Sequence, residues 1–229
     1  MRHAAAALTG ALLAALLVVA ALQLDARYPP PLEGRPASPV VLAADGTLLR
    51  AFTDPEGRWR LPVAAGDVDE TFIRLLIAYE DQRFLSHAGV DPRALVRAAA
   101  QAVRHGRIVS GASTLTMQTV RLLSGERQRS ASRKLAELVR ALQLERRLTK
   151  DQILTRYLNH APYGGNIEGI RAAALAYFGR EPTRLTPAQC ALLIALPQSP
   201  EARRPDRHPA AAERARNRKR VTDAGPPPF

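Results

Sequence analysis

Apolar positions crowd the stretch Phe72, Ile73, Leu75, Leu76, Ile77, Ala78 and Tyr79, and the run ends on an acid, Glu80. Period and caps mark helices near Thr71–Tyr79, Arg93–His105, Ser113–Leu123, Ala131–Leu148, Asp151–Leu158, Ile167–Phe178 and Pro187–Leu196. Asp91-Pro92 reads as an N-cap followed by proline at the first helical position. Thr149-Lys150-Asp151-Gln152 and Thr186-Pro187-Ala188-Gln189 are capping boxes. Ahead of the helices, Val40-Val41-Leu42 and Thr47-Leu48-Leu49 flank Asp45-Gly46, a hairpin signal. The pattern predicts a mainly α domain with a small N-terminal β-ribbon.

The helix from Ala131 can be read by face. At about 100° per residue, Leu135, Leu138, Val139 and Leu142 share one stripe, which the pattern assigns to the core. Arg133, Lys134 and Glu137 then look toward water or a cleft. An exposed ion pair one turn apart and a functional cluster are both compatible with this spacing.

The first residues change the setting. From Ala4 to Leu24 the chain is almost unbroken alanine, leucine and valine behind Arg2, about the 20 residues that cross a bilayer as a helix. The positive-inside rule places the start in the cytoplasm, so the chain beyond Asp25 is exported, whether the segment stays as one transmembrane helix or is cleaved as a signal. Tyr28-Pro29-Pro30-Pro31 opens a stiff, proline-rich linker. The net charge of +12 comes almost wholly from arginine, with three lysines, and favours a polyanion partner. Export turns that preference away from nucleic acid and toward lipid headgroups or pyrophosphate. The single Cys190 sits in an apolar run and reads as a buried thiol. The arginines from Arg203 to Arg220 read as a solvated, fraying tail.

A carboxylate ending so apolar a helix is partly desolvated and a candidate general base, although a helix-end acid neutralised by Arg83 fits the same residues. The run from Glu80 through Asp81, Gln82, Arg83, Phe84 and His87 to Asp91 resembles the first signature of the family 51 glycosyltransferases, the peptidoglycan polymerase domain of class A penicillin-binding proteins. Gly111 to Gln118 resembles the second, Arg133-Lys134-Leu135-Ala136-Glu137 the third, Ile153 to Asn159 the fourth, and Arg171 through Tyr177 to Arg180 the fifth.

The resemblance implies a lysozyme-like helical glycosyltransferase domain that transfers the lipid-linked glycan chain to lipid II with inversion. By position, Glu80 is the base and Glu137 lies near the donor, helping to place it. Asp81, Phe84 and His87 hold Glu80 and line the cleft. Thr114, Gln118 and Arg121 meet the donor's sugar and phosphates. Arg133 and Lys134 stabilise the departing undecaprenyl diphosphate, while Asn159 and Arg180 complete the substrate set. Arginine and lysine suit a diphosphate leaving group electrostatically. No cofactor is required by the pattern. A divalent cation, Mg or Mn, is compatible with carboxylates meeting pyrophosphates, but no ligand spacing specifies one.

Met117 stands where family members often carry a glutamine, and Arg121 where lysine is common. The family's serine transpeptidase carries Ser-x-x-Lys and Lys-Thr-Gly; neither occurs, so a shortened form and a separate transpeptidase partner are expected. The expected organisation is cytoplasmic tip and anchor at 1–27, linker at 28–38, glycosyltransferase domain at 39–209 and basic tail at 210–229. It would sit in the inner membrane by a single pass with the catalytic domain outside the cytoplasm. On the sequence alone, a lysozyme-like glycan-cleaving enzyme and a catalytically silent membrane scaffold remain alternatives.

Overall fold

The computed structural model describes residues 25–105, 113–125 and 130–219, together with Gly10, Leu16, Val19 and Gln23. The remainder of the expected anchor, Gly111 and Ala112 of the second signature, and the tail beyond Lys219 lie outside the described residues. No helix among the described residues is long and apolar enough to cross a membrane.

Strands β1 (Val40–Leu42) and β2 (Leu48–Ala51) form the expected antiparallel ribbon, with Thr47 N–H donating to the Asp45 carboxylate in its turn. A second sheet was not foreseen. In it β3 (Trp59–Arg60) pairs in parallel with β5 (Ile167–Glu168), and β5 pairs antiparallel with β4 (Pro162–Gly164). Ile167 and Glu168, placed in a helix by their periodicity, are therefore strand.

The helices are α1 (Glu70–Glu80), α2 (Pro92–His105), α3 (Leu115–Ser124), α4 (Ala131–Glu145), α5 (Lys150–His160), α6 (Ile170–Phe178), α7 (Pro187–Ala195) and α8 (Pro209–Arg218). Both capping boxes form, at Thr149/Gln152 and Thr186/Gln189. One core joins Phe72, Leu76 and Phe84 to Leu115, Leu144, Leu158, Ile170 and Leu193, all essentially shielded from water. Burying side chains of this size stabilises the fold by about 1.5–3 kcal/mol each before entropy is counted. Cys190 lies inside it, and burial pushes its thiol up to about 12. A disulfide reagent at pH 8 is therefore expected to leave Cys190 unmodified in the native chain and to label it only on unfolding. Rapid labelling without denaturant would contradict the burial.

Three expectations are corrected. Leu135 and Leu142 are exposed rather than in the core. The buried face of α4 is Ala141 and Leu144, in line with Glu137 at helical spacing, so the helix is turned to point that acid inward. Leu138 does pack against the core, and with Leu142 it borders a shallow apolar hollow that includes Ala88, Val90 and Leu95. The 28–38 segment is no free spacer. The carbonyls of Tyr28, Leu32 and Pro36 accept from Gln143, Arg156 and Arg60, and Ser38 is buried. The fraying tail is, from Pro209 to Arg218, a helix whose Ala212 and Ala215 are buried, and α8 packs on α7.

Candidate active site

Helix α1 begins on Asp69, whose carboxylate accepts from the Thr71 and Phe72 N–H groups and braces Leu185 N–H. The helix stops one residue past its apolar run because Asp81 leaves the helical region at φ −162°. That break delivers Glu80 to the rim of a cleft of about 380 Å³, bordered by Tyr79, Glu80, Arg83, Arg97, Ser113 and Thr114.

Asp81 is buried and works as a knot. It accepts from Leu115 N–H at 2.9 Å and lies 3.0 Å from His87 Nε2 through either carboxylate oxygen. Gly89 N–H donates to His87 Nδ1, so the ring proton sits on Nε2 and points at Asp81. The knot ties the end of α1 to the start of α3. Gly89 itself has φ +89°, and a Cβ there would meet the Ala141 carbonyl oxygen at 2.5 Å, so only glycine lets the loop lie against α4. Phe84 is fully buried under this loop, with the Lys150 ammonium 4.5 Å from its ring centre. Asp81, Phe84 and His87 thus brace the turn that follows Glu80, and Asp81 also borders the cleft.

Around the Glu80 carboxylate, Gln118 Nε2 approaches Oε2 at 3.4 Å and Gln198 Nε2 approaches Oε1 at 2.7 Å. Lys219 Nζ lies 3.4 Å from Oε1. Gln198 and Lys219 are the contacts that sequence reasoning missed. Burial pushes the Tyr157 phenol above its ordinary range, with the charge of Glu80 adding and that of Arg121 opposing, so a neutral hydroxyl lies within the field of both. Arg121 is half-buried on α3.

The third signature meets the cleft border through Ser113. Lys134 Nζ lies 2.5 Å from Ser113 Oγ, which borders the cleft, and 3.5 Å from a Glu137 oxygen. Glu137 is mostly buried, so its pairing with Lys134 is not that of two freely solvated side chains. Arg133, one residue before Lys134, is half-buried on the same helix.

Three other expected substrate residues have the following surroundings. Thr114 caps α3 by accepting from Met117 N–H and donates to the Gly89 carbonyl, so its hydroxyl is committed although the residue borders the cleft. Asn159 bonds Val63 on both its amide atoms and also donates to the Thr155 carbonyl, stitching the chain before α1 to α5. Arg180 is exposed two residues past α6, and no described polar contact links it to the Glu80 cluster. Hydroxyl and amide side chains serve backbone capping as readily as ligands, so their type alone does not mark a ligand site.

No group of three or more His, Cys, Asp or Glu side chains suited to a metal ion is gathered among the described residues. A divalent ion near Glu137 would draw its remaining ligands from water and substrate oxygens.

Compared with known proteins, residues 45–223 match the transglycosylase family. The chain belongs to that family. It is 47% identical over 203 residues to penicillin-binding protein 1C of Escherichia coli, which covers 89% of this chain and 26% of that protein. It is 39% identical over 177 residues to penicillin-binding protein 1A of Pseudomonas aeruginosa, covering 77% and 21% respectively. The crystal structure of penicillin-binding protein 1A from Haemophilus influenzae aligns over 82% of this chain and 18% of that one, at 19% identity and a TM-score of 0.39. The chain spans about a quarter of the length of the curated relatives it matches.

Proposed function

We propose that this transglycosylase-family chain is a peptidoglycan glycosyltransferase, polymerising lipid II into glycan strands by inverting transfer with release of undecaprenyl diphosphate. The observation that carries the reading is the Glu80 carboxylate at the cleft rim, fixed by donors from three separate elements, in a cleft whose border residue Ser113 meets Lys134. In the reaction, Glu80 takes the proton of the acceptor sugar's 4-hydroxyl. The hydroxyl oxygen bonds to the donor's anomeric carbon, and the bond from that carbon to the diphosphate oxygen breaks.

The leaving diphosphate gathers negative charge as the bond stretches. Arg121, Arg133 and Lys134 are the cations proposed to receive it, Gln118 to orient the donor and Glu137 to place it. The domain would be lysozyme-like, with the apolar segment 4–24 as a single-pass anchor. The catalytic domain would then face the extracytoplasmic side of the inner membrane, where lipid II and the lipid-linked chain reside. A separate transpeptidase would cross-link the strands, and nucleic acid has no place in this reading.

Incubating the chain in detergent with fluorescently labelled lipid II is expected to yield long, lysozyme-sensitive strands. Short muropeptides cut from preformed glycan would instead establish a hydrolase. Bound but unreacted lipid II would establish a scaffold.

A further inference from the structure

Helix α8 was expected to be loose tail, yet it ends against the catalytic carboxylate. Ala212 and Ala215, small and buried, let α8 lie close on α7, and this carries the helix end over Tyr79 and Glu80. Lys219 caps α8 through its backbone N–H. Its ammonium lies 3.4 Å from Glu80 Oε1 and 4.6 Å from the Tyr79 ring centre. Both charged side chains are largely covered, with 15% of Lys219 and 12% of Glu80 exposed. A solvated tail lysine would have neither partner nor cover.

The two carboxylate oxygens are treated differently. Oε1 receives Gln198 at 2.7 Å and Lys219 at 3.4 Å, which occupies its lone pairs. Gln198 is itself oriented, because Arg203 Nη1 reaches its Oε1 at 3.2 Å while bonding the Ala195 carbonyl at 2.6 Å. Among the described residues, Oε2 receives only the long contact from Gln118, at 3.4 Å.

We propose that Lys219 is a positioning residue for Glu80: with Gln198 it holds Oε1 and turns Oε2 toward the acceptor hydroxyl as the oxygen that takes the proton. This rests on the glycosyltransferase reading. Lys219 touches neither the sugar nor the diphosphate in this role; it acts through Glu80 by restricting rotation of the carboxylate.

Kinetics with lipid II test it. Lys219→Met keeps the aliphatic stem and removes the charge. It is expected to lower kcat about tenfold with KM within about twofold, the signature of a misaligned base rather than a lost substrate contact. Lys219→Arg keeps the charge and its contact with the Tyr79 ring and is expected to recover most of the loss. An unchanged kcat in Lys219→Met, an effect confined to KM, or no recovery in Lys219→Arg overturns the proposal.

The unsubstituted chain, assayed alongside, separates the two ideas: if it is inert, the proposed function fails, and the contact is then judged without turnover. Reductive methylation followed by mass spectrometry reads Lys219 directly, with Lys134 as internal reference. Glu80→Gln is expected to raise the Lys219 methylation rate about two- to fivefold, the protection given by one ion pair, and to leave Lys134 unchanged. An unaltered Lys219 rate overturns the pairing whatever the activity.

Discussion

Glu80→Gln is expected to slow glycan polymerisation by about 10²–10⁴-fold, the usual contribution of a positioned general base, while lipid II binding and the unfolding temperature stay close to those of the parent. The substitution is nearly isosteric. Its retained carbonyl oxygen can still accept from Gln198 and Lys219 where Oε1 does now. The new amide nitrogen replaces Oε2 and faces Gln118 Nε2, a donor against a donor, at a present separation of 3.4 Å. Rotation of the Gln118 amide relieves that contact, so no buried group is stranded. The loss is confined to the lone pair that takes the acceptor's proton. Initial rates with labelled lipid II, binding of lipid II to the same sample and a thermal melt distinguish loss of chemistry from loss of fold. Polymerisation at the parent rate would remove Glu80 from the role of base.

Much of this site was legible because its first half is local. The apolar run from Phe72 to Tyr79 fixes α1, and the Glu80-to-Asp91 loop is closed by contacts within a few residues, such as His87 on Asp81 and Ala94 N–H on Asp91. The capping boxes and the Asp45-Gly46 turn are likewise short-range hydrogen-bond patterns that composition and spacing encode. The second half is not local. Gln198 and Lys219 reach Glu80 across 118 and 139 residues, and nothing in the surrounding period marks either of them. Gln198 comes after α7 in a short 3-10 turn, and Lys219 was hidden in an arginine-rich run whose charge suggested a solvated strand of tail.

The misread face of α4 has another cause. Leucines outnumber the residues the core can take from that helix, and small Ala141 wins the interior because the loop at Gly89 must pass close to it. The parallel pairing of β3 with β5 was illegible for a simpler reason: two-residue strands show no alternation.

That unforeseen sheet also carries the largest expected stability effect. Arg60 is 1% exposed and donates to the Pro36 carbonyl at 2.5 Å, to Asp54 at 3.2 Å and to Glu168 at 2.5 Å. Asp54 is equally covered, and its other oxygen is already engaged by the Glu56 and Arg58 N–H groups. Arg60→Met fills similar volume yet leaves Asp54 as a buried charge without its cation, and is expected to cost about 3–5 kcal/mol. For a domain of this size that lowers the unfolding temperature by roughly 6–20 °C.

The more exposed Arg35, which meets Glu56 and Glu168 at 3.8 and 3.7 Å, provides the contrast: Arg35→Met is expected to cost no more than about 1 kcal/mol. If the stranded charge is the cause, Asp54→Asn added to Arg60→Met should recover part of the loss, because asparagine can keep the oxygen that closes the 54–58 turn while removing the charge. Denaturant titration of the two single variants and the double variant decides it. A cost below about 1 kcal/mol for Arg60→Met, or no recovery in the double variant, would mean that water reaches Asp54 once the guanidinium is gone. The cleft is bordered by α1, α2 and the start of α3 rather than by this sheet, so the folded fraction of Arg60→Met should polymerise lipid II at the parent rate per molecule.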